Sequence, residues 1–145
     1  MIPVISRYEN IKSIINNSNV NIIAVSKMFS KEAISPLIDH GHLHFGENKV
    51  QEAQSKWAEI KKNKPSIKLH MIGRLQTNKA KEAVMLFDYI HSLDNQKLAN
   101  TLAKQENNLN KKLKYFIQVN IGNEKQKSGI NIDVLDDFYY YCTRK

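Results

Sequence analysis

The sequence predicts an α/β fold in which parallel strands alternate with helices, and three observations lead to this prediction. Five short segments are apolar or alternating and end in turn-type residues, as strands do. Segments with helical periodicity lie between them, most of them opened by a capping residue. The strand candidates start near residues 21, 43, 67, 89 and 114, so they are 22, 24, 22 and 25 residues apart. This regular spacing is typical of successive strand–helix units with short loops.

A lead-in helix is predicted over residues 3–17, where apolar residues recur at helical spacing after Pro3. The predicted strands are NIIAV (21–25), HLHF (42–45), IKLHMI (67–72), DYIHS (88–92) and KYFIQVNI (114–121). The predicted helix caps are Ser30, Thr77, Asp94, and Asn131 or Asp133. One further helix covers ENKVQEAQSKWAEIKKN, with an apolar stripe, and Gly41 is expected to close the helix that Ser30 opens.

A barrel and an open doubly wound sheet both satisfy this alternation, and two observations favour the barrel. Polar residues fall at the carboxyl ends of strands, where barrels carry their active sites: Lys27, Asn48, Ser92 and Asn120. No G-x-G-x-x-G motif follows the first strand, as an open dinucleotide-binding sheet would require. Side-chain alternation groups Lys27 with Val25, His70 with Ile72, and Ser92 with Ile90.

Composition narrows the class of protein. The formal charge of +8 comes almost entirely from lysines, with only three arginines, and runs such as KWAEIKKNK are interpreted as solvated helix faces. We therefore expect no nucleic-acid partner. The chain contains no apolar run of membrane-spanning length, and Cys142 is its only cysteine. We expect a soluble, cytoplasmic protein without a membrane partner.

Lys27 lies one residue after NIIAV, an apolar run that is good enough to be a buried strand. Among apolar neighbours a lysine loses hydration of its charged form, so its neutral amine becomes available to attack a carbonyl. The alternative is that Lys27 simply extends into solvent at a strand end. Its position alone does not decide between these two interpretations.

Five blocks together carry a resemblance to a known family: AVSK (24–27), FGENKVQE (45–52), HMIGRLQTNK (70–79), IHSLDNQKLA (90–99) and IQVNIGNEKQKSGI (117–130). In this order and spacing they resemble the YggS/PROSC family of proteins that bind pyridoxal 5'-phosphate (PLP). The resemblance implies a TIM-barrel-like fold, similar to the N-terminal domain of alanine racemase and known as the type III PLP fold. It also implies PLP held on Lys27 as an internal aldimine, a role in PLP (vitamin B6) homeostasis without catalytic turnover, and PLP-dependent apoenzymes as recipients.

The resemblance also implies the remaining site residues. It places Asn48 near the cofactor ring or its lysine, and His70, Ile72 and Ser92 on the barrel wall around it. Gln76, Asn78 and Lys79 match the motif after the third strand, with their roles left open. His70 has an alternative role as a hydrogen-bonded core histidine, and Asn78 as a residue that solvates a helix start.

Compared with the family, the chain ends early. Residues 1–145 are expected to form a partial PLP-binding barrel domain of about five of the eight strand–helix units, or about 60% of the family's usual length. The resemblance places the segments that grip the PLP phosphate in the absent units. The first and fifth strands would be left with unpaired edges, so we expect this chain to self-associate.

Two rival functions remain open. A PLP-dependent amino-acid racemase would need a second acid–base partner on the opposite face of the cofactor, and none is identifiable. A metal site is suggested by HGHLHF, where His42 and His44 could share one strand face, although a pair is only half of a zinc site. We expect neither turnover nor a metal.

Overall fold

The computed structural model describes residues 2–122, 124–125 and 127–145, and its centre is one five-stranded parallel sheet. Its strands are β1 Ala24–Val25, β2 His44–Glu47, β3 Lys68–Met71, β4 Tyr89–Leu93 and β5 Lys114–Ile117. Each strand pairs in parallel with the next one along the chain, without a reversal of order. A doubly wound sheet reverses at a switch point, whereas a barrel does not. The predicted five strands and barrel-type order are therefore confirmed.

Helices precede and connect these strands. They are α1 Pro3–Ile15, α2 Lys31–Asp39, α3 Val50–Asn63, α4 Ala80–Leu86, α5 Gln96–Leu109 and α6 Leu135–Thr143. Short 3-10 turns at Thr77–Lys79 and Ile132–Val134 precede α4 and α6. Among the described residues, no helix combines the length and the apolar content needed to cross a bilayer.

The predicted caps are partly confirmed. Ser30 accepts the Ala33 N–H at 3.2 Å, and Asn131 accepts the Asp133 N–H at 2.8 Å. Thr77 is wrong as a side-chain cap, because it begins a 3-10 turn that has no such bond. Asp94 is also wrong by one position. Asn95 caps α5 through the Leu98 N–H at 2.8 Å, and Asp94 instead accepts the Gly129 N–H at 3.0 Å.

The last strand was predicted as one continuous segment, 114–121, but the structure divides it into two strands. β5 ends at Ile117, and a separate short parallel pair follows, made of β6 Val119–Asn120 and β7 Ile130–Asn131. Gln118 joins the two sheets, because its N–H donates to the Leu93 carbonyl and its own carbonyl accepts the Ile130 N–H, both at 2.9 Å.

The core lies between the sheet and its helices. Phe45, Leu69 and Ile90 point from the strands to this side and are fully buried. Phe45 packs on Trp57 of α3 with ring centroids 4.8 Å apart. Because side chains alternate along a strand, the residues between these core positions lie on the opposite face, the inner face of the barrel. Its aromatic members are His44, His70, Tyr89, His91 and Phe116.

The predicted grouping of Ser92 with Ile90 is wrong. The β4–β5 register shifts between Ile90 and Leu93, so that Ile90 pairs with Tyr115 and Leu93 with Ile117. One extra residue in β4 thus places Ile90 and Leu93 on the same face although they are three positions apart. Simple alternation cannot detect such a bulge.

Candidate ligand-binding site

The carboxyl ends of β1, β2 and β3 bring three of the predicted site residues into one row. Val25 pairs with Gly46, and Gly46 pairs with His70. Two positions beyond these paired residues are Lys27, Asn48 and Ile72, each just past the end of its strand. The three therefore lie at the same end of the sheet, the mouth of the barrel, and make up one row there. The Ile72 N–H donates to the Glu47 carbonyl at 2.9 Å and continues the pairing at this level.

Glycines keep this row close to the backbone. A Cβ atom at Gly73 would lie 2.1 Å from Asn48 Oδ1, so the Asn48 amide packs directly against the β3 loop. A Cβ at Gly46 would lie 3.1 Å from Ile23 Cγ2 and 3.3 Å from Ile72 Cδ1. The two isoleucine side chains therefore meet over Gly46 and supply an apolar floor beneath the mouth.

Lys27 is exposed, and Val25 on the same face is 50% exposed. Of the two interpretations of Lys27, its exposure agrees with the one in which the side chain extends into solvent at a strand end. Strand β1 is only two residues long and lies at the edge of the sheet, where among the described strands it pairs with β2 alone. Among the described residues, Lys27 forms no ion pair, and its amine is accessible to a ligand.

Lys27 occupies a tight turn from Ser26 to Phe29. The Phe29 N–H donates to the Ser26 carbonyl at 3.1 Å, and Met28 has a positive φ of 65°. This is the pattern of a type II turn, with Lys27 at its second position and Met28 at the position that usually holds glycine.

A buried charged cluster holds the start of this turn. Glu47 is fully buried and accepts hydrogen bonds from the Ser26 hydroxyl and from Trp57 Nε1, the latter at 2.9 Å. Lys56 Nζ lies 3.0 Å from Glu47 Oε2 and donates to the Ser26 carbonyl at 2.7 Å. The interpretation of KWAEIKKNK as a solvated face is therefore wrong for Lys56, which is only 7% exposed.

The other end of the turn is held by Glu52. Its Oε1 accepts the Met28 N–H at 2.5 Å and lies 3.4 Å from Lys56 Nζ. The Met28 hydrogen bond is the main reason that the pKa of Glu52 is lowered. Glu47 and Glu52 both lie in the FGENKVQE block, but sequence reasoning gave them no role. Their spacing on either side of the α3 start was the available signal.

Ser92 is buried near the end of β4, and its hydroxyl has no hydrogen-bond partner among the residues that the structure describes. An unpaired buried hydroxyl is costly, and it is the kind of group that a bound ligand satisfies. Ser92 is thus the fourth predicted residue that lies at a strand end.

His70 lies one row below the mouth, at the centre of a chain of imidazoles. Its Nε2 is 2.9 Å from His44 Nδ1, and its Nδ1 is 2.9 Å from His91 Nε2. Tyr89 stacks on His70 and Phe116 stacks on His91. Burial, with His91 and His44 nearby, lowers the pKa of His70 to about 4, so this ring is neutral at pH 7.

This chain of imidazoles agrees with the alternative role of His70 as a hydrogen-bonded core histidine. Sequence reasoning did not select His44 and His91 for the site. Their positions on neighbouring strands, with the same facing as His70, were the signal that could have found them.

The rival suggestion that His42 and His44 share one strand face as a metal-binding pair does not match the structure. His42 is buried toward α1, where its Nδ1 lies 3.0 Å from the Tyr8 hydroxyl, whereas His44 bonds to His70. The part of the chain that the structure describes contains no group of three ligands that could hold a metal ion.

Beside Asn48 lies a polar cavity of about 700 Å³. Its lining includes Asn48, Lys49, Arg74, Gln76, Thr77 and Lys79. Two residues of the LQTNK motif, Gln76 and Lys79, are therefore near the mouth, whereas Asn78 is exposed and does not line this cavity.

The strands follow one another in parallel order, as in a β/α barrel, and a lysine lies at the carboxyl end of the first strand. These two features place the chain in the class of barrel domains that carry a lysine at the mouth. Residues 4–145 match the family described as alanine racemase, N-terminal domain, and the chain belongs to that family. Curated relatives are named pyridoxal phosphate homeostasis protein. The one from Vibrio alginolyticus is 37% identical over 126 residues, covering 86% of this chain and 54% of the relative. The one from Escherichia coli K12 is 36% identical over 119 residues, covering 81% and 51%. The chain thus spans about half the length of these relatives.

Solved structures agree. PipY of Synechococcus elongatus PCC7942, in a structure with PLP bound, is 36% identical with a TM-score of 0.78, covering 91% of this chain and 62% of PipY. The structure of PipY without PLP has a TM-score of 0.81, covering 92% and 63%. Alanine racemase of Clostridium difficile 630 has a TM-score of 0.72 at 13% identity, covering 92% of this chain and 35% of the racemase, and shows the fold alone. The predicted fold and family resemblance are confirmed.

Proposed function

We propose that this chain binds PLP covalently through Lys27 and is part of a protein that serves PLP homeostasis. The observation that carries the proposal is the accessible amine of Lys27, presented by a tethered turn in one row with Asn48 and Ile72. It is supported by the similarity to PipY, a protein that has been solved with PLP bound, and by relatives named for PLP homeostasis.

The residues at the mouth fit such a ligand. The Lys27 amine would take up the aldehyde carbon, with loss of one water as a carbon–nitrogen double bond replaces the carbon–oxygen double bond. Ile72 offers an apolar surface to a planar ring. The unpaired Ser92 hydroxyl and the Asn48 amide offer hydrogen bonds to its polar substituents. In this chemistry PLP supplies the electrophilic aldehyde, and the chain supplies the amine and the walls.

We propose that the protein acts as a carrier without racemase turnover, with PLP-dependent apoenzymes as recipients, and that it works in the cytoplasm. The name of the relatives supports this role, and the single cysteine supports this location. Self-association of this chain is supported by β1 and β5, each paired on only one side among the described residues.

Borohydride trapping tests the lysine assignment. After incubation with PLP and reduction, peptide mapping of the wild-type chain is expected to find the pyridoxyl group on Lys27. Lys27→Ala is expected to lose almost all of this adduct. Matched controls are Lys79→Ala at the polar cavity and Lys127→Ala, an exposed residue that pairs with Glu124 at 3.3 Å. Both controls are expected to keep it.

Full adduct yield in Lys27→Ala would refute the assignment, and loss of the adduct in one of the control variants would identify the lysine that reacts instead. The carrier role is tested separately with a panel of amino acids. Sustained conversion that depends on Lys27 and exceeds that of free PLP would favour the racemase alternative.

A further inference from the structure

The turn that carries Lys27 has an unfavourable backbone that the neighbouring helix holds in place. Met28 has a φ of 65°, although it is not glycine and its side chain is 88% exposed. A left-handed conformation is disfavoured for such a residue unless the surrounding structure enforces it. Packing of the exposed Met28 side chain is not the cause, so the cause lies in the contacts of its backbone.

Those backbone contacts come from α3 and the end of β2. The Met28 N–H donates to Glu52 Oε1 at 2.5 Å, and the Ser26 carbonyl accepts Lys56 Nζ at 2.7 Å. The Ser26 hydroxyl is in turn bonded to the buried Glu47. Thus three charged side chains hold the residues on both sides of Lys27, while the bonds described for these three include no hydrogen bond or ion pair to Lys27.

We propose that Glu52 is a positioning residue for Lys27, which acts by holding Met28 in the left-handed conformation that aims the amine at the mouth. The inference rests on the proposed role of Lys27. Without this carboxylate the turn is free to relax to a more common backbone conformation, because methionine pays a steric cost at positive φ. The amine would then spend less time in the row with Asn48 and Ile72, and adduct formation would weaken.

Two substitutions at Met28 test this with opposite expectations. Met28→Val places a β-branched residue at positive φ, where it is strongly disfavoured, and is expected to weaken the apparent affinity for PLP about tenfold. Met28→Gly accepts the same conformation freely and is expected to stay within about threefold of wild type. Both remove the same exposed side chain, so a difference between them reports on the backbone.

Glu52 is tested by a cycle with the same position. Glu52→Ala is expected to weaken the apparent affinity about tenfold, and the double variant Glu52→Ala/Met28→Gly to recover most of that loss, since glycine needs no tether. Glu52→Gln keeps an acceptor oxygen and is expected to stay within about threefold. Glu59→Ala is the matched control, because Glu59 is an exposed residue of the same helix.

Absorbance titration with PLP and the yield of trapped pyridoxyl-Lys27 are the readouts, with the thermal midpoint recorded for each variant. Rescue of Glu52→Ala by glycine at position 28 supports positioning, since a purely structural role of Glu52 would not be restored there. If Met28→Val, Met28→Gly and Glu52→Ala all bind PLP like wild type while Lys27→Ala loses the adduct, the positioning inference is wrong and the proposed function stands. If Lys27→Ala keeps its adduct, the proposed function is wrong and the inference is wrong with it.

Discussion

The two faces of the sheet differ in how their buried polar groups are stabilised. On the helix-covered face, Glu47 is fully buried. Its charge is paired with Lys56, and it accepts hydrogen bonds from Trp57 and Ser26. On the inner face, His44, His70 and His91 form a chain of hydrogen-bonded rings with lowered pKa values. One face holds opposite charges in fixed geometry, and the other holds groups that lose their charge.

The difference has a physical cause. A carboxylate behind the sheet is strongly destabilising unless a cation and hydrogen bonds meet it, so its partners must be fixed in place. An imidazole can release its proton instead, and burial then lowers its pKa. The paired charges of Glu47 and Lys56 are also the groups that bond to Ser26 and so hold the start of the Lys27 turn. The imidazoles with lowered pKa values lie on the opposite, inner face of the sheet.

The helix-covered face is where a single substitution is expected to do most damage. Lys56→Met leaves the Glu47 carboxylate buried without its cation, so we expect the free energy of unfolding to fall by about 3–5 kcal/mol. Urea denaturation measures the loss. Lys62→Met, an exposed position of the same helix, is the control and is expected to change stability by less than about 0.5 kcal/mol. Equal losses in the two variants would contradict the difference between the two faces.

The imidazoles of the inner face are expected to make the free energy of unfolding depend on pH. The pKa of His70 is about 4 in the folded chain against 6.5 for the free side chain, so the unfolded chain takes up the proton first. The contribution of His70 to the free energy of unfolding therefore has its full value above about pH 6.5. It is lost as the pH decreases toward about 4, which lowers the free energy of unfolding by up to about 3 kcal/mol. Urea titrations at several pH values measure this slope.

His70→Asn is expected to remove a large share of that slope. The remainder comes from His42, His44 and His91, whose pKa values burial also lowers. His40→Asn is the control, because His40 is exposed and pairs with Glu9 on the surface. An unchanged slope in His70→Asn would mean that the central imidazole is not held neutral by its burial.

The mouth, where both faces end, is expected to show the smallest effect. The resemblance places the phosphate-gripping segments outside these 145 residues, so pyridoxal and PLP are expected to bind within about threefold of each other. Absorbance titrations with both ligands measure the ratio. A preference for PLP of about 100-fold or more would contradict this. If Arg74→Ala then removed that preference, the polar cavity beside Asn48 would be the phosphate site.

Much of the fold could be predicted because its signals are local. Ser30 caps its helix through a residue three positions away, and the five strands have their own apolar pattern and rhythm. The row of Lys27, Asn48 and Ile72 was also predictable, since each residue follows a strand end in the same phase. Thr77 and Asp94 failed as caps because a helix start depends on the conformation of the preceding loop, which composition does not define.

By itself, the sequence determined the order of strands and helices, the barrel class, the family and the lysine at the end of β1. Only the tertiary structure decided which charges are buried and which side of a strand each residue faces after a bulge. Lys56 lies in a lysine-rich helix and was indistinguishable from its solvated neighbours until Glu47, nine residues away, was placed beneath it. Simple alternation grouped Ser92 with Ile90, and this failed because β4 contains one more residue than β5 over the same length. Such properties depend on partners that only folding brings together, whereas capping, periodicity and motif spacing act within a few residues of the chain.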